Sequence, residues 1–417
     1  MQLDITTSTK DAKAEESNPV HDGSSQEAGS SNYAEGRLFT LDFASSTLAN
    51  FANTLGLSML MATLPLYVIS LGGDKTDAGI VAGAAQLIAI LFRPFMGWLT
   101  DAWRRRPMVL IGTSCYSVAS MVYLLAGSIP FLMLGRIIHG LGLSCYTTAA
   151  NVYVADIAPT NRRAEAMGLF SAAQAIALII GPVIGFFIIH ATGFQQLFYF
   201  TGGLAFTSFL ISLFPRERRQ IKKIKRHTWS LRTGIVATDA IPMAWIVLCM
   251  GMGLGAINAF IAIFAQPRGV ANPGFYFMVQ SVALLISRTF AGRISDRYGR
   301  VATIIPGIVL MTIALSILPV ANGYYLFLIT ALLFGFGFGT AQPSVMALLI
   351  DRVNLDQRGL ATSTYFIGFD LGLAMGAILL GLVSQRWGFG VMWPVAAALT
   401  LLSLAGLLLD RRRTVLP

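Results

Sequence analysis

RPFMGWLTD at residues 93–101 and RTFAGRISD at residues 288–296 are two copies of one element. Arg93, Gly97 and Asp101 recur as Arg288, Gly292 and Asp296, each pair 195 residues apart. The same offset carries Asp156 and Arg163 onto Asp351 and Arg358, Gly181 onto Gly376, and Gly193-Phe194 onto Gly388-Phe389. Unrelated apolar sequence drifts out of register over such a stretch, so one constant offset marks a duplicated chain with matched segments and loops. Internal repeats of this size are a common plan of secondary transporters.

Composition places the duplication in a membrane. Hydrophobic residues make up 55% of the 417 and charged residues 12%, against roughly 25% charged in an average soluble domain. Apolar runs long enough to cross the ~30 Å hydrocarbon layer number twelve. They lie near 44–69, 78–99, 107–127, 130–155, 164–189, 194–214, 240–265, 273–293, 302–320, 323–349, 359–383 and 391–409. The expected fold is an all-α integral membrane protein of twelve transmembrane helices, in two six-helix bundles related by a parallel repeat.

The basic residues test the count. With both termini cytoplasmic, 24 of the 30 Lys and Arg fall on the inner side. Lys75, Arg268 and Arg386 fall outside, and Arg93, Arg136 and Arg288 lie within spans. The short loops then alternate as the positive-inside rule requires. The net charge of +10 is mostly this asymmetry and calls for no nucleic-acid partner.

Four segments follow. Residues 1–36 are rich in Ser, Glu, Asp and Gly, cannot bury a core, and read as a disordered cytoplasmic tail. Residues 37–214 and 237–417 are the two bundles, joined by the basic cytoplasmic linker 215–236. Cys115, Cys145 and Cys249 sit in apolar spans at spacings that match no disulfide or metal framework. There is no GxxxxGK[ST] nucleotide loop, no paired carboxylates and no nucleophile constellation, so neither a cofactor, a metal nor an enzymatic activity is expected.

GWLTDAWRRRP after the second span and GRISDRYGR after the eighth resemble the loop signature of the major facilitator superfamily. The resemblance implies two six-helix bundles around a central cavity. It also makes the loops a conformational latch built from Arg93, Gly97, Asp101, Arg105, Arg288, Gly292, Asp296, Arg297 and Arg300. Arg104 stands where the first copy would carry its second Gly. In the fifth span Gly181, Pro182 and Gly185 resemble the helix-packing motif of proton-coupled drug exporters, with Ala177 in place of a further Gly. LMLGRIIHGLG in the fourth span is similar to a superfamily motif in which His139 replaces a Gln. FDLGLAMGAILLGLVSQRWGF and NPGFYFMVQSVALLISRTF are similar to exporters of opine-type metallophores.

A charge in mid-bilayer is costly unless paired or wetted, so each one is a functional candidate. Asp370, 11 residues into its span, is the expected proton carrier, with His139 and Asp42 as further candidates. Substrate contacts are expected from Arg136, Asn50, Asn53, Gln174, Asn258, Gln342 and Tyr365, and from Gln86, Tyr146, Asn151 and Gln280, all within spans. A polar side chain in a span more often bonds another helix than a ligand.

The reading is a monomeric secondary transporter of the plasma membrane that exports a small organic molecule in exchange for protons by alternating access. An exporter of an opine-type chelator, or an importer of a sugar or organic acid, are the alternatives. The orientation is directly testable. An impermeant thiol reagent added from outside the cell should label a cysteine placed at Lys75 and miss one placed at Lys223. Reversed labelling overturns the orientation.

Overall fold

The computed structural model describes residues 38–102, 105–159, 162–215, 237–270, 272–353 and 358–414. The tail read at 1–36 and the linker at 215–236, apart from Pro215, lie outside the described residues. The first half contains α1 (Leu41–Ser70), α2 (Lys75–Ala102), α3 (Arg105–Leu125), α4 (Ile129–Ile157), α5 (Arg163–Thr192) and α6 (Phe194–Ser212). The second contains α7 (Ile241–Ala265), α8 (Gly274–Tyr298), α9 (Val301–Ile317), α10 (Tyr324–Arg352), α11 (Arg358–Trp387), α12 (Phe389–Leu401) and α13 (Leu404–Thr414).

Helix is forced on these segments because hydrocarbon offers backbone groups no other partner. Even Pro65, Pro94, Pro182, Pro306 and Pro343 are accommodated inside helices. The chain turns where glycine permits it. Gly193 at φ +94° ends α5 and starts α6, and its repeat mate Gly388 at φ +77° does the same between α11 and α12. A side chain at either position would strain the corner.

Among the described residues eleven helical stretches are long and apolar enough to cross a membrane. The sequence reading expects twelve. The remaining helix, α6, has 19 residues, enough for about 28 Å, but Gln195, Gln196 and two adjacent glycines dilute its apolar character. The last span, expected as one run over 391–409, is divided into α12 and α13. There the Thr400 and Ser403 hydroxyls donate back to the carbonyls of Ala396 and Thr400 at 2.9 and 2.6 Å, and successive i to i−3 backbone bonds tighten the turn.

The repeat governs packing as well as sequence. α1 packs on α5 as α7 does on α11; α2 packs on α4 as α8 does on α10; α3 packs on α6 as α9 does on α12. The halves meet through α2 with α11, through α5 with α8, and through α1 with α7. The contacts joining them cluster at the face opposite the chain termini. Lys75 Nζ donates to Ser384 O at 3.3 Å, Gly79 abuts the Ala377 carbonyl, and Gly274 abuts that of Pro182.

Within the second half, α7 and α11 approach backbone to backbone. Gly368, Gly372 and Gly376 face the carbonyls of Ala244, Leu248 and Met252, while Gly251 and Gly255 face those of Phe369 and Leu373. A Cβ at Gly372 would collide with the Leu248 carbonyl, and one at Gly390 of α12 would meet open space. Gly372→Ala should therefore lose about 1–3 kcal/mol by overpacking, read as a lower thermal midpoint of detergent-solubilised protein by tryptophan fluorescence. Gly390→Ala is the control. Equal midpoints for the two variants would remove the packing role.

Candidate functional site

The halves are held together across the interior by a charge pair. Arg93 of α2 donates from a terminal guanidinium nitrogen to Asp370 Oδ2 of α11, with 27% and 14% of the two side chains exposed. The sequence reading gave these residues separate roles, Arg93 in a loop latch and Asp370 as a proton carrier. The structure joins them, because an arginine side chain on a helix leans toward that helix's N-terminus. On α2 that direction runs away from the loop and toward mid-bilayer, where Asp370 lies.

The other two proton candidates are placed differently. His139 is buried between the rings of Tyr116 and Tyr123, at centroid distances of 4.9 and 6.1 Å. Asp42 lies in the first turn of α1, behind the Thr40 N-cap whose hydroxyl accepts from the Phe43 N–H at 3.2 Å. An acid there is favoured by the helix dipole.

The substrate candidates other than Gln280 fall into three groups. Asn50, Asn53, Tyr146, Asn151 and Gln174 line one cleft of about 360 Å³ within the first half. Gln86, Arg136 and Asn258 line a second, of about 370 Å³, between α1, α2, α4, α7 and α11. Arg136 is committed to structure there: its Nε and a terminal nitrogen donate to the carbonyls of Val81 and Ala82 at 2.8 and 2.7 Å, tying α4 to α2. Gln342 and Tyr365 form the third group with Arg288. Arg288 donates to Gln342 Oε1 at 3.2 Å, and the Tyr365 hydroxyl donates to Gln342 O at 3.0 Å. Gln280 is buried on α8, its backbone carbonyl against Gly335.

The loop residues form a second set of ion pairs, each inside one half. Arg300 reaches Asp296 and, at 2.9 Å, Asp351, so one guanidinium ties α8, α9 and α10 together. The Asp351 and Asp296 carboxylates hold that guanidinium above its usual range. In the first half Arg105 lies 3.6 Å from Asp156, the same pair 195 residues earlier. The sequence reading missed Asp156 and Asp351 as latch members, although the constant offset already aligned them. The backbone at Gly97 and Asp101 is helical, and the Asp101 side chain lies outside the described residues. Gly292 has open space beside it, and Arg297 stacks over Tyr298 at 5.4 Å. Gly181 abuts Leu55 and Ser58 of α1, Gly185 meets Met59, and the carbonyl of Pro182 lies against Gly274.

A family model described as the Major Facilitator Superfamily matches residues 46–280 and 243–417. The chain belongs to the major facilitator superfamily. It is 26% identical over 372 residues to the multidrug resistance protein MdtG of Enterobacter lignolyticus, covering 86% of this chain and 89% of that protein. With the quinolone resistance protein NorA of Staphylococcus aureus it shares 22% over 334 residues, covering 78% of this chain and 86% of that one. The crystal structure of the nucleoside transporter NupG superposes with a TM-score of 0.75 at 14% identity, covering 88% of this chain and 99% of that one. This major facilitator protein is thus a multi-pass membrane transporter with drug-resistance proteins among its relatives, and not an enzyme.

The charge pair makes a stability prediction. Removing one member of a fully buried pair costs ~3–5 kcal/mol because the other charge is stranded, and partial exposure reduces this to about 2 kcal/mol. Arg93→Gln should lower the thermal midpoint, and adding Asp370→Asn should restore most of it. A double variant no more stable than Arg93→Gln alone would show that the two residues are uncoupled.

Proposed function

We propose that the protein exports small organic molecules from the cytoplasm in exchange for protons. It would lie in the plasma membrane with both termini inside. The observation that carries this reading is the Arg93–Asp370 pair, an ionisable contact between the two bodies that alternating access must move. Arg93 and a proton compete for one carboxylate. A proton arriving at Asp370 removes its charge and dissolves the link between α2 and α11. When the proton leaves, the link re-forms. Exchange follows if the halves change faces only with a proton or a substrate aboard.

With the termini cytoplasmic, the contacts of Lys75, Gly79 and Gly274 close the outer face. The clefts would then be reached from the inside, as the loading step of an exporter requires. The membrane potential supplies about 2.3 kcal/mol per charge per 100 mV, enough for a gradient of tens-fold from one proton per substrate. Similarity to MdtG and NorA supports drug-like or metabolite substrates.

Inverted vesicles test the coupling. Wild type should accumulate substrate under an imposed acid-inside gradient, with substrate-driven proton outflow that an uncoupler abolishes. Asp370→Asn should let substrate equilibrate without accumulating, at a rate that no longer changes with pH near neutrality. If Asp370→Asn accumulates substrate as wild type does, proton coupling lies elsewhere.

A further inference from the structure

The two halves meet through one interface used twice. Gly79 of α2 abuts Ala377 of α11, and Gly274 of α8 abuts Pro182 of α5. Gly274 is the repeat mate of Gly79, and Ala377 that of Pro182, each 195 residues on. The register of α2 on α11 is therefore also the register of α8 on α5. Asp370 precedes Ala377 by seven residues, and Ala175 precedes Pro182 by seven. Seven residues are two helical turns, so each shares a face with its contact residue. Arg93 and Arg288 complete the pattern, each 14 residues after its glycine.

One copy of this arrangement is neutral and the other is not. Arg93 meets a carboxylate, while the residue at the carboxylate's place opposite Arg288 is alanine. Among the described residues Arg288 makes no ion pair, and its guanidinium donates to the uncharged amide oxygen of Gln342. Arg136, the third intramembrane arginine, has two donors fixed on backbone carbonyls. A guanidinium inside a membrane protein faces a counter-charge or a water-filled cavity, and the alanine at position 175 is smaller than the aspartate at position 370 by one carboxylate.

We propose that Arg288 is the anion-recognition site of transport. It binds a carboxylate carried by the substrate, which enters opposite Ala175 and restores the ion pair that the first interface makes internally. This rests on the transporter reading and names its substrate class as small organic carboxylates. Arg suits the role because its planar fork holds a carboxylate through two parallel hydrogen bonds. Gln342 accepts from the guanidinium through Oε1, and the Tyr365 hydroxyl holds the backbone carbonyl of that same glutamine. Gln174, next to Ala175 in the chain, opens onto the cleft lined by Asn50 and Asn53, which gives the rest of the molecule a polar berth.

Dansylglycine and its methyl ester differ by the one charge at issue. Their binding to purified full-length protein in detergent, read by dansyl fluorescence polarisation, tests the site without any gradient. Wild type should prefer the acid by about tenfold or more, the scale of one charge-assisted contact. In Arg288→Gln the ratio should fall to near one, and Arg288→Lys should keep part of it. Ala175→Asp supplies the missing carboxylate from the protein and should also bring the ratio to one or below. Tryptophan thermal scans identify any variant that fails to fold, and the remaining one carries the comparison. Wild type that binds acid and ester alike, or neither, overturns the proposal, as does an acid preference that survives in a folded Arg288→Gln or Ala175→Asp protein. Because no proton gradient is involved, failure here leaves proton exchange standing, and failure of the vesicle experiment leaves the carboxylate preference standing.

Discussion

An ion within a hydrocarbon layer has to be neutralised by the chain that carries it, and the interior of this transporter is arranged around that requirement. The three intramembrane arginines meet it in three ways. Arg136 turns to the carbonyls of the neighbouring helix α2, Arg93 turns to the acid of the opposite half, and Arg288 turns to a neutral amide. The first solution is static because backbone carbonyls do not titrate. The second rests on a carboxylate, a group that can take up a proton. The third is incomplete, and an incomplete solution is where a ligand can contribute.

The architecture was legible in the sequence because duplication and hydropathy are one-dimensional signals. The 195-residue offset aligned the glycines that become the corners at Gly193 and Gly388, and it aligned Asp156 with Asp351 without announcing their ion links to Arg105 and Arg300. The Arg93–Asp370 contact joins residues 277 apart, and no local pattern announces it. It becomes visible once the second helix of one half is known to lie on the eleventh. The division of the last span was hidden for another reason: Thr400 and Ser403 are mild polar residues in an apolar run, and their effect comes through hydroxyl bonds to the backbone. His139 looked ionisable by composition, yet the tyrosines of α3 pack around it as around any planar ring.

The repeat is close enough that its departures carry meaning. Ala377 and Pro182 hold equivalent places, as do Gly79 and Gly274, so the absence of an acid at Ala175 is a difference in chemistry on a shared geometry. Two copies of one element have come to hold different charges.

The backbone-to-backbone seam of α7 and α11 has a mechanical consequence. Side chains that interlock must repack their rotamers before two helices can shift, whereas a run of glycines against carbonyls offers no such teeth. The matching seam in the first half is keyed, since Ser58 of α1 sits at Gly181 and donates to the carbonyl of Ala177 on α5 at 3.0 Å. The two halves therefore differ in how their seams are held. The helix that bears Asp370 lies on the glycine seam, and its partner Arg93 belongs to the half whose seam carries the Ser58 bond.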